Sequence, residues 1–338
     1  MPAEWAPHDA VWLSWPHDPA TFAGVLPEVE RTYVRIISEI HRTEVVELFV
    51  QDEAMRERVK GMLERAAVDP ARVRYHACGY ADVWIRDYGP TFVESEDSGR
   101  LAMVRWTFNA WGGKYKELLA DGRVFDAIEK CIGIPSMKPG IVMEGGSFDV
   151  NGKGALLTTE QCLLNKNRNP GLGRAGIEAK LGEFLGVEKV IWLKEGVAGD
   201  DTDGHVDDIA RFIAPAACVC AVEDRANDEN YLPLKANFES LCRMSDQDGR
   251  PLEVLKLPMP DPVANRAGRL PASYANFYIG NGVILAPVFG CRQDEAALRV
   301  IEEAFPNRRV APIPCRELVC GLGAVHCVTQ QQPSTPAR

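Results

Sequence analysis

The residues best suited to chemistry lie in four short segments far apart in the chain. The last, Gly-Leu-Gly-Ala-Val-His-Cys (321–327), ends in Cys327. A thiol reacts when its surroundings make it a thiolate and give it a target. Gly321 and Gly323 predict a backbone that comes close to a ligand or turns through positive φ. A second segment, Asp-Asp-Thr-Asp-Gly-His-Val-Asp-Asp-Ile-Ala-Arg-Phe (200–212), holds His205 and Asp207 two positions apart. On a strand, both would face one side. In Val-Met-Glu-Gly-Gly-Ser-Phe (142–148), Glu144 stands at a predicted strand end beside two glycines. In Trp-Ile-Arg-Asp-Tyr-Gly-Pro-Thr (84–91), Asp87 sits ahead of a Gly-Pro turn.

Taken singly, each has a plain structural explanation. Asp87 could pair with Arg86, Glu144 could brace a turn, His205 could be structural, and Cys327 could be inert core. Taken together they supply a nucleophile, a proton shuttle and an orienting carboxylate. The two further aspartates have no use in attack on an amide. They suit a flat cation with forked N–H donors, because carboxylates pair bidentately with guanidinium. A guanidinium carbon is a poor electrophile, so attack requires the cation and the sulfur to be held in line. The same residues allow two other readings. One is a metallohydrolase built on His205, Asp207, Asp203 and Glu144. The other is a non-catalytic sensor of guanidines or polyamines. Six histidines, with no His-x-x-x-His spacing, weigh against the metallohydrolase.

Helix and strand signals alternate around these segments. Val29, Tyr33, Ile36, Ile37 and Ile40 repeat at helical spacing, and Val45–Val50 reads as a strand. Asp52 is placed to cap a helix carrying Met55, Val59, Met62 and Leu63. Leu101–Phe108 is strand-like. Ile177, Leu181, Phe184 and Leu185 mark a helix before the strand Lys189–Leu193, and Leu234, Phe238 and Leu241 mark another helix. Asn151-Gly152 and Asn281-Gly282 each join two apolar runs, a hairpin signal. Hairpins mixed with single helices argue against a purely parallel sheet and fit repeated strand–strand–helix–strand units. The fold class is therefore α/β.

The 338 residues are 46% hydrophobic and carry a formal net charge of −10, which speaks against a nucleic-acid surface. No apolar run approaches the roughly 18 residues of a membrane span. The N-terminal stretch has no basic and apolar pattern of a signal peptide. Ten scattered cysteines without paired spacing predict a cytoplasmic protein with reduced thiols and no structural zinc.

Six stretches resemble one known family. They are 84–91, Asn-Ala-Trp-Gly-Gly-Lys-Tyr (109–115), Met-Glu-Gly-Gly-Ser (143–147), Leu-Leu-Thr-Thr-Glu-Gln-Cys-Leu-Leu-Asn-Lys-Asn-Arg-Asn-Pro (156–170), 200–212, and Val-His-Cys-Val-Thr-Gln-Gln-Gln-Pro (325–333). Together they are similar to the agmatine deiminases, of the bacterial-type peptidylarginine deiminase family among the guanidino-group modifying enzymes. The resemblance runs from about Trp5 to Pro333. It implies a five-bladed ββαβ propeller of pentein type with pseudo-fivefold symmetry, in one catalytic domain over 1–333 with a flexible tail at 334–338. By motif, Cys327 becomes the nucleophile, His205 the general acid and base, and Glu144 its support. Asp87 and Asp207 become the guanidinium clamp. Trp84 would wall the alkyl chain or stack on the cation, Asp201 would meet a distal amine, and Trp111 and Lys114 would contribute to a lid. The implied reaction converts agmatine to N-carbamoylputrescine without metal or other cofactor, in an enzyme that pairs as a homodimer. Leu322 and Ala324 stand where the family commonly has Gly and Asn, which keeps peptidylarginine and other guanidines open as substrates. His326, next to the thiol, would point away from it if the segment is extended.

Overall fold

The structure is a computed structural model and describes residues 1–95 and 97–334. Five small sheets share one build. Thr91–Glu94 pairs antiparallel with Leu101–Val104, which pairs parallel with Ser136–Met137. Phe148–Val150, Ala155–Thr159 and Lys189–Leu193 repeat that order. So do Ala210–Ala214, Ala217–Val222 and Glu253–Pro258, and then Tyr278–Ile279, Val283–Val288 and Arg309–Pro314. A parallel return needs a crossover, and a helix supplies it in each: Val124–Ile132, Arg174–Leu185, Tyr231–Leu241 and Asp294–Ala304.

The remaining sheet is assembled from both ends of the chain. Gln330–Pro333 pairs antiparallel with His8–Ser14, which runs parallel to Val45–Val50, followed by Val73–Ala77. Trp12 lies opposite Gln330 in this register, and its indole N–H donates to Gln332 at 3.0 Å. Ser334 N–H donates to the Pro7 carbonyl, while the rest of the expected flexible tail lies outside the described residues.

Local sequence explains most elements. In Leu26–Ile40 the residues Val29, Tyr33, Ile36, Ile37 and Ile40 are all buried, as their spacing requires. Asp52 caps Glu53–Arg65 by accepting the Met55 N–H at 2.8 Å. Both Asn-Gly pairs lie in hairpin connections. The Leu101 strand is shorter than its apolar run suggests and ends at Val104. Beyond it the backbone breaks into single contacts, and Asn109 starts a tight turn by accepting the Gly112 N–H. Among the described residues, no helix is long and apolar enough to cross a membrane.

One polar group is buried in this frame at unusual depth. Arg211, fully buried, donates to Asp149 at 3.1 Å, to Glu4 at 2.8 Å and to the Phe277 carbonyl at 2.7 Å. Its guanidinium lies 4.9 Å from the Phe277 ring centroid. Removing one partner of a buried pair leaves the others charged and dry, at a cost of about 3–5 kcal/mol. Arg211→Met is therefore expected to lower unfolding free energy by about that amount in urea titrations. A loss below about 1 kcal/mol would show that Glu4 and Asp149 find solvent or another cation.

Candidate active site

Gly146 is the point about which the site is arranged. A Cβ placed there would lie 2.6 Å from His205 Nδ1, 3.0 Å from Asp207 Oδ2 and 3.0 Å from Asp87 Oδ1. Three titratable side chains from two distant segments thus converge where only a hydrogen fits. The Gly146 N–H also donates to Asp87 Oδ1 at 2.9 Å. Asp87 sits in the single helical turn Ile85–Tyr88, and its other oxygen accepts the Trp111 indole N–H at 2.9 Å. Trp111 reaches it from a loop in which Ala110, Trp111, Gly112 and Gly113 all have positive φ.

His205 does not lie on a strand. It precedes the 3-10 turn Val206–Asp208, and the strand begins only at Ala210. Asp200 forces the turn, since its carboxylate takes the backbone N–H groups of Thr202, Gly204 and His205. The imidazole lies between two carboxylates, with Nδ1 3.8 Å from Asp87 and Nε2 3.8 Å from Glu144. Burial opposes its charge, but Asp87 first, then contacts with Cys162 and Glu144, outweigh it and hold the ring's pKa well above the ordinary histidine value. Glu144 is itself fully buried. Against that desolvation, His205 and Arg168 hold its carboxyl below the usual range, with Arg168 Nε donating at 2.7 Å.

Asp207 is held from behind. Its Oδ2 is 2.7 Å from His326 Nδ1, and His326 Nε2 is 2.8 Å from Glu4. This contact, together with His326's charge, keeps the Asp207 carboxyl low despite burial, while Asp207 Oδ1 has no partner. The segment around His326 is a turn rather than extended backbone. The imidazole beside the thiol therefore serves Asp207.

Cys327 Sγ lies 3.1 Å from Asn276 Nδ2 and 3.9 Å from Asp207 Oδ2. Burial first, then Asp207, Asp208 and Asp87, push the thiol well above its ordinary value. Without a cation beside it, the sulfur keeps its proton. Gly321 and Gly323 have ordinary φ; they leave room for Trp84, whose ring atoms would be 2.9 and 2.4 Å from a Cβ at those positions. The left-handed residue of this loop is Leu322, at φ +74°. For a residue with a Cβ, that conformation costs about 1–2 kcal/mol.

Cys327, Asp87, Trp84 and Trp111 line a cavity of about 280 Å³. Asp18, Asp82, Glu117 and Asp201 also line it. Asp201 accepts the Tyr115 hydroxyl, and Lys114 donates to the Asp201 carbonyl and to Asp203. Asp82 accepts Trp84 Nε1 at 3.0 Å and Thr21 Oγ1 at 2.7 Å, and burial raises its carboxyl to about 6. The metal-ligand set suggested by sequence does not assemble, because Arg168 and Lys114 hold Asp203 and His326 holds Asp207.

Several participants escaped sequence reasoning. Arg168 lies in the Asn-Lys-Asn-Arg-Asn-Pro run, whose density of polar residues was its only signal. Asn276, Glu4 and Asp82 sit in segments with no local cue.

A thiol, an imidazole flanked by carboxylates, and further buried carboxylates, on repeated ββαβ sheets, resemble the arrangement of the guanidino-group modifying enzymes. The inosamine-phosphate amidinotransferase of Streptomyces griseus shares the fold at a TM-score of 0.53 and 12% identity, over 100% of this chain and 97% of that one. Within that class, the chain belongs to the Porphyromonas-type peptidyl-arginine deiminase family, which matches residues 1–333. The agmatine deiminase of Stutzerimonas stutzeri is 42% identical over 99% of this chain and 95% of its own length. The solved agmatine deiminase of Enterococcus faecalis superposes with a TM-score of 0.91 at 34% identity, covering 99% of this chain and 96% of that one.

Brief iodoacetamide treatment of the ligand-free protein at pH 7 is expected to label surface Cys242 well ahead of Cys327. Cys327 labelling should accelerate only at a pH well above that at which an ordinary exposed thiol ionises. Peptide mass spectrometry reads both, and prompt labelling of Cys327 at pH 7 would contradict the protonated resting thiol.

Proposed function

We propose that this chain hydrolyses agmatine to N-carbamoylputrescine and ammonia through a covalent intermediate on Cys327. The observation that carries this reading is the charge of the cavity. Asp18, Asp82, Asp87, Glu117 and Asp201 line it, and no lysine, arginine or histidine is among the described residues that do. Agmatine is cationic at both ends. Its guanidinium fits Asp87 and the unpartnered oxygen of Asp207, and its amine fits the acids opposite. The α-carboxylate of arginine would meet those acids with no cation to hold it. The names of the S. stutzeri and E. faecalis relatives support the same substrate.

On this reading the substrate helps make the nucleophile. A guanidinium beside Cys327 offsets the field of Asp87, Asp207 and Asp208, and the thiol proton leaves to solvent. The sulfur bonds to the guanidinium carbon. Imidazolium His205, favoured by Asp87 and Glu144, protonates the departing nitrogen, and ammonia leaves with the C–N bond pair. A thiouronium remains on Cys327. Neutral His205 then takes a proton from water as its oxygen attacks the carbon, and the C–S bond breaks to release the ureido product. Glu144, fixed by Arg168, steadies His205. Trp84 walls the alkyl chain, while Trp111 and Lys114 close the rim.

We infer further that the five sheets close as a five-bladed propeller of pentein type, and that residues 1–333 act as one catalytic unit. Support comes from the repeated sheet order and from the meeting of Glu4, Asp87, Glu144, His205, Asn276 and Cys327 at one place. Ten unpaired cysteines support a reducing, cytoplasmic setting.

Agmatine, arginine and an arginine peptide assayed side by side should give ammonia from agmatine far faster than from the others. Equal turnover of arginine would sink the substrate assignment. Cys327→Ala is expected to lower kcat at least about 10⁴-fold; a normal rate would end the covalent route. Glu4→Gln, which loosens His326 and through it Asp207, should raise KM for agmatine more than it lowers kcat. An unchanged KM would free Asp207 from dependence on Glu4.

A further inference from the structure

One donor beside His205 has no part in this reaction. Cys162 is fully buried in the single helical turn Glu160–Leu163, fixed there by Thr159, whose hydroxyl accepts the Cys162 backbone N–H at 3.1 Å. Its sulfur, a His205 ring nitrogen and a Glu144 oxygen all lie within 4.8 Å of one another. Two atoms on these neighbours, Glu144 Oε2 and His205 Nε2, are buried without any hydrogen-bond partner. Carboxylate, imidazole and thiol form a donor set suited to a borderline-soft divalent ion.

The dimensions allow it. An ion centred among three atoms no more than 4.8 Å apart lies within about 2.8 Å of each. Zinc bonds of about 2.0–2.3 Å then need each donor to move about half an ångström. The electrostatics favour it as well, because Asp87, 3.8 Å from His205 Nδ1, presses the same spot toward positive charge. Asp87 also lines the cavity and stands 3.8 Å from His205, so the trio lies behind a side chain of the cavity wall.

We propose that Glu144, Cys162 and His205 form an inhibitory site for a thiophilic divalent cation of the zinc class. Binding releases the Cys162 thiol proton and the His205 ring proton to solvent, with no change in oxidation state. The ion then occupies the nitrogen and carboxylate on which proton transfer depends, and turnover stops. Inhibition is therefore reversed by chelation and weakens as pH falls and protons compete for the ligands. The loss of turnover rests on the deimination reading above; metal binding itself does not.

The test uses the full chain with Zn²⁺ set by a chelator buffer. Ammonia release is followed together with bound zinc, the latter by competition with a chromophoric chelator. Wild type should take one zinc and lose activity, and EDTA should restore it. Cys162→Ala and the closer isostere Cys162→Ser should keep turnover without zinc and bind the ion roughly a hundredfold more weakly. Thermal melts identify whichever variant remains folded. Cys327→Ala should still bind one zinc, and its Co²⁺ form should show a thiolate charge-transfer band that disappears in Cys162→Ala/Cys327→Ala. Zinc affinity unchanged by the Cys162 substitutions, or lost in Cys327→Ala, would overturn the proposal by moving the ligand to the nucleophile. Tight zinc binding through Cys162 in a protein that releases no ammonia from agmatine would sustain the site and refute the reaction instead.

Discussion

The crowding of buried carboxylates governs this structure. Asp87, Glu144, Asp207 and Asp208 are each at most 5% exposed. Like charges this close repel strongly when water is excluded. The molecule answers with arginines and one histidine placed behind them: Arg168 on Glu144, His326 on Asp207, and Arg211 and Arg86 around Glu4, which in turn holds His326. Arg168 takes one oxygen of Glu144 and His326 one oxygen of Asp207. The oxygens left over, Asp207 Oδ1 and Glu144 Oε2, are the unsatisfied ones. What the fold leaves uncompensated is thus a negative deficit of defined shape, and a flat cation is the natural thing to fill it.

The same deficit sets the state of the thiol. A cysteine activated in advance normally sits beside a positive charge. Here the field has the opposite sign, and the sulfur rests protonated. Whatever neutralises these carboxylates also eases ionisation of the thiol.

Sequence patterning carried the secondary structure a long way. Val45–Val50 and Lys189–Leu193 fall at the boundaries their apolar runs suggest, and both Asn-Gly hairpins form. These elements depend on neighbours a few positions away. The number of sheets did not emerge from periodicity, because each repeat has its own loop lengths and residues. At the site, Cys327, His205, Glu144, Asp87 and Asp207 could be singled out by type and motif. Their supports could not. Glu4 and His326 are 322 positions apart, and nothing local to either announces the other. His205 and Asp207 share an environment through a turn that Asp200 imposes, whereas alternation along the chain had suggested a strand. Gly321 and Gly323 suggested a close approach to a ligand or a turn through positive φ, but they are clearance for an indole.

The pairing of Gln330–Pro333 with His8–Ser14 has a consequence for biosynthesis. On the ribosome, His8–Ser14 emerges more than three hundred residues before its antiparallel partner. Until then it keeps one edge unpaired, with the buried residues Val11, Trp12 and Leu13 beside it. Glu4 likewise waits for His326, and Asp207 for its brace. Cys327 stands just ahead of the strand Gln330–Pro333, so the thiol takes its place only as the strand that completes this sheet emerges. Closure of the sheet and bracing of Asp207 by His326 therefore belong to one late step of folding.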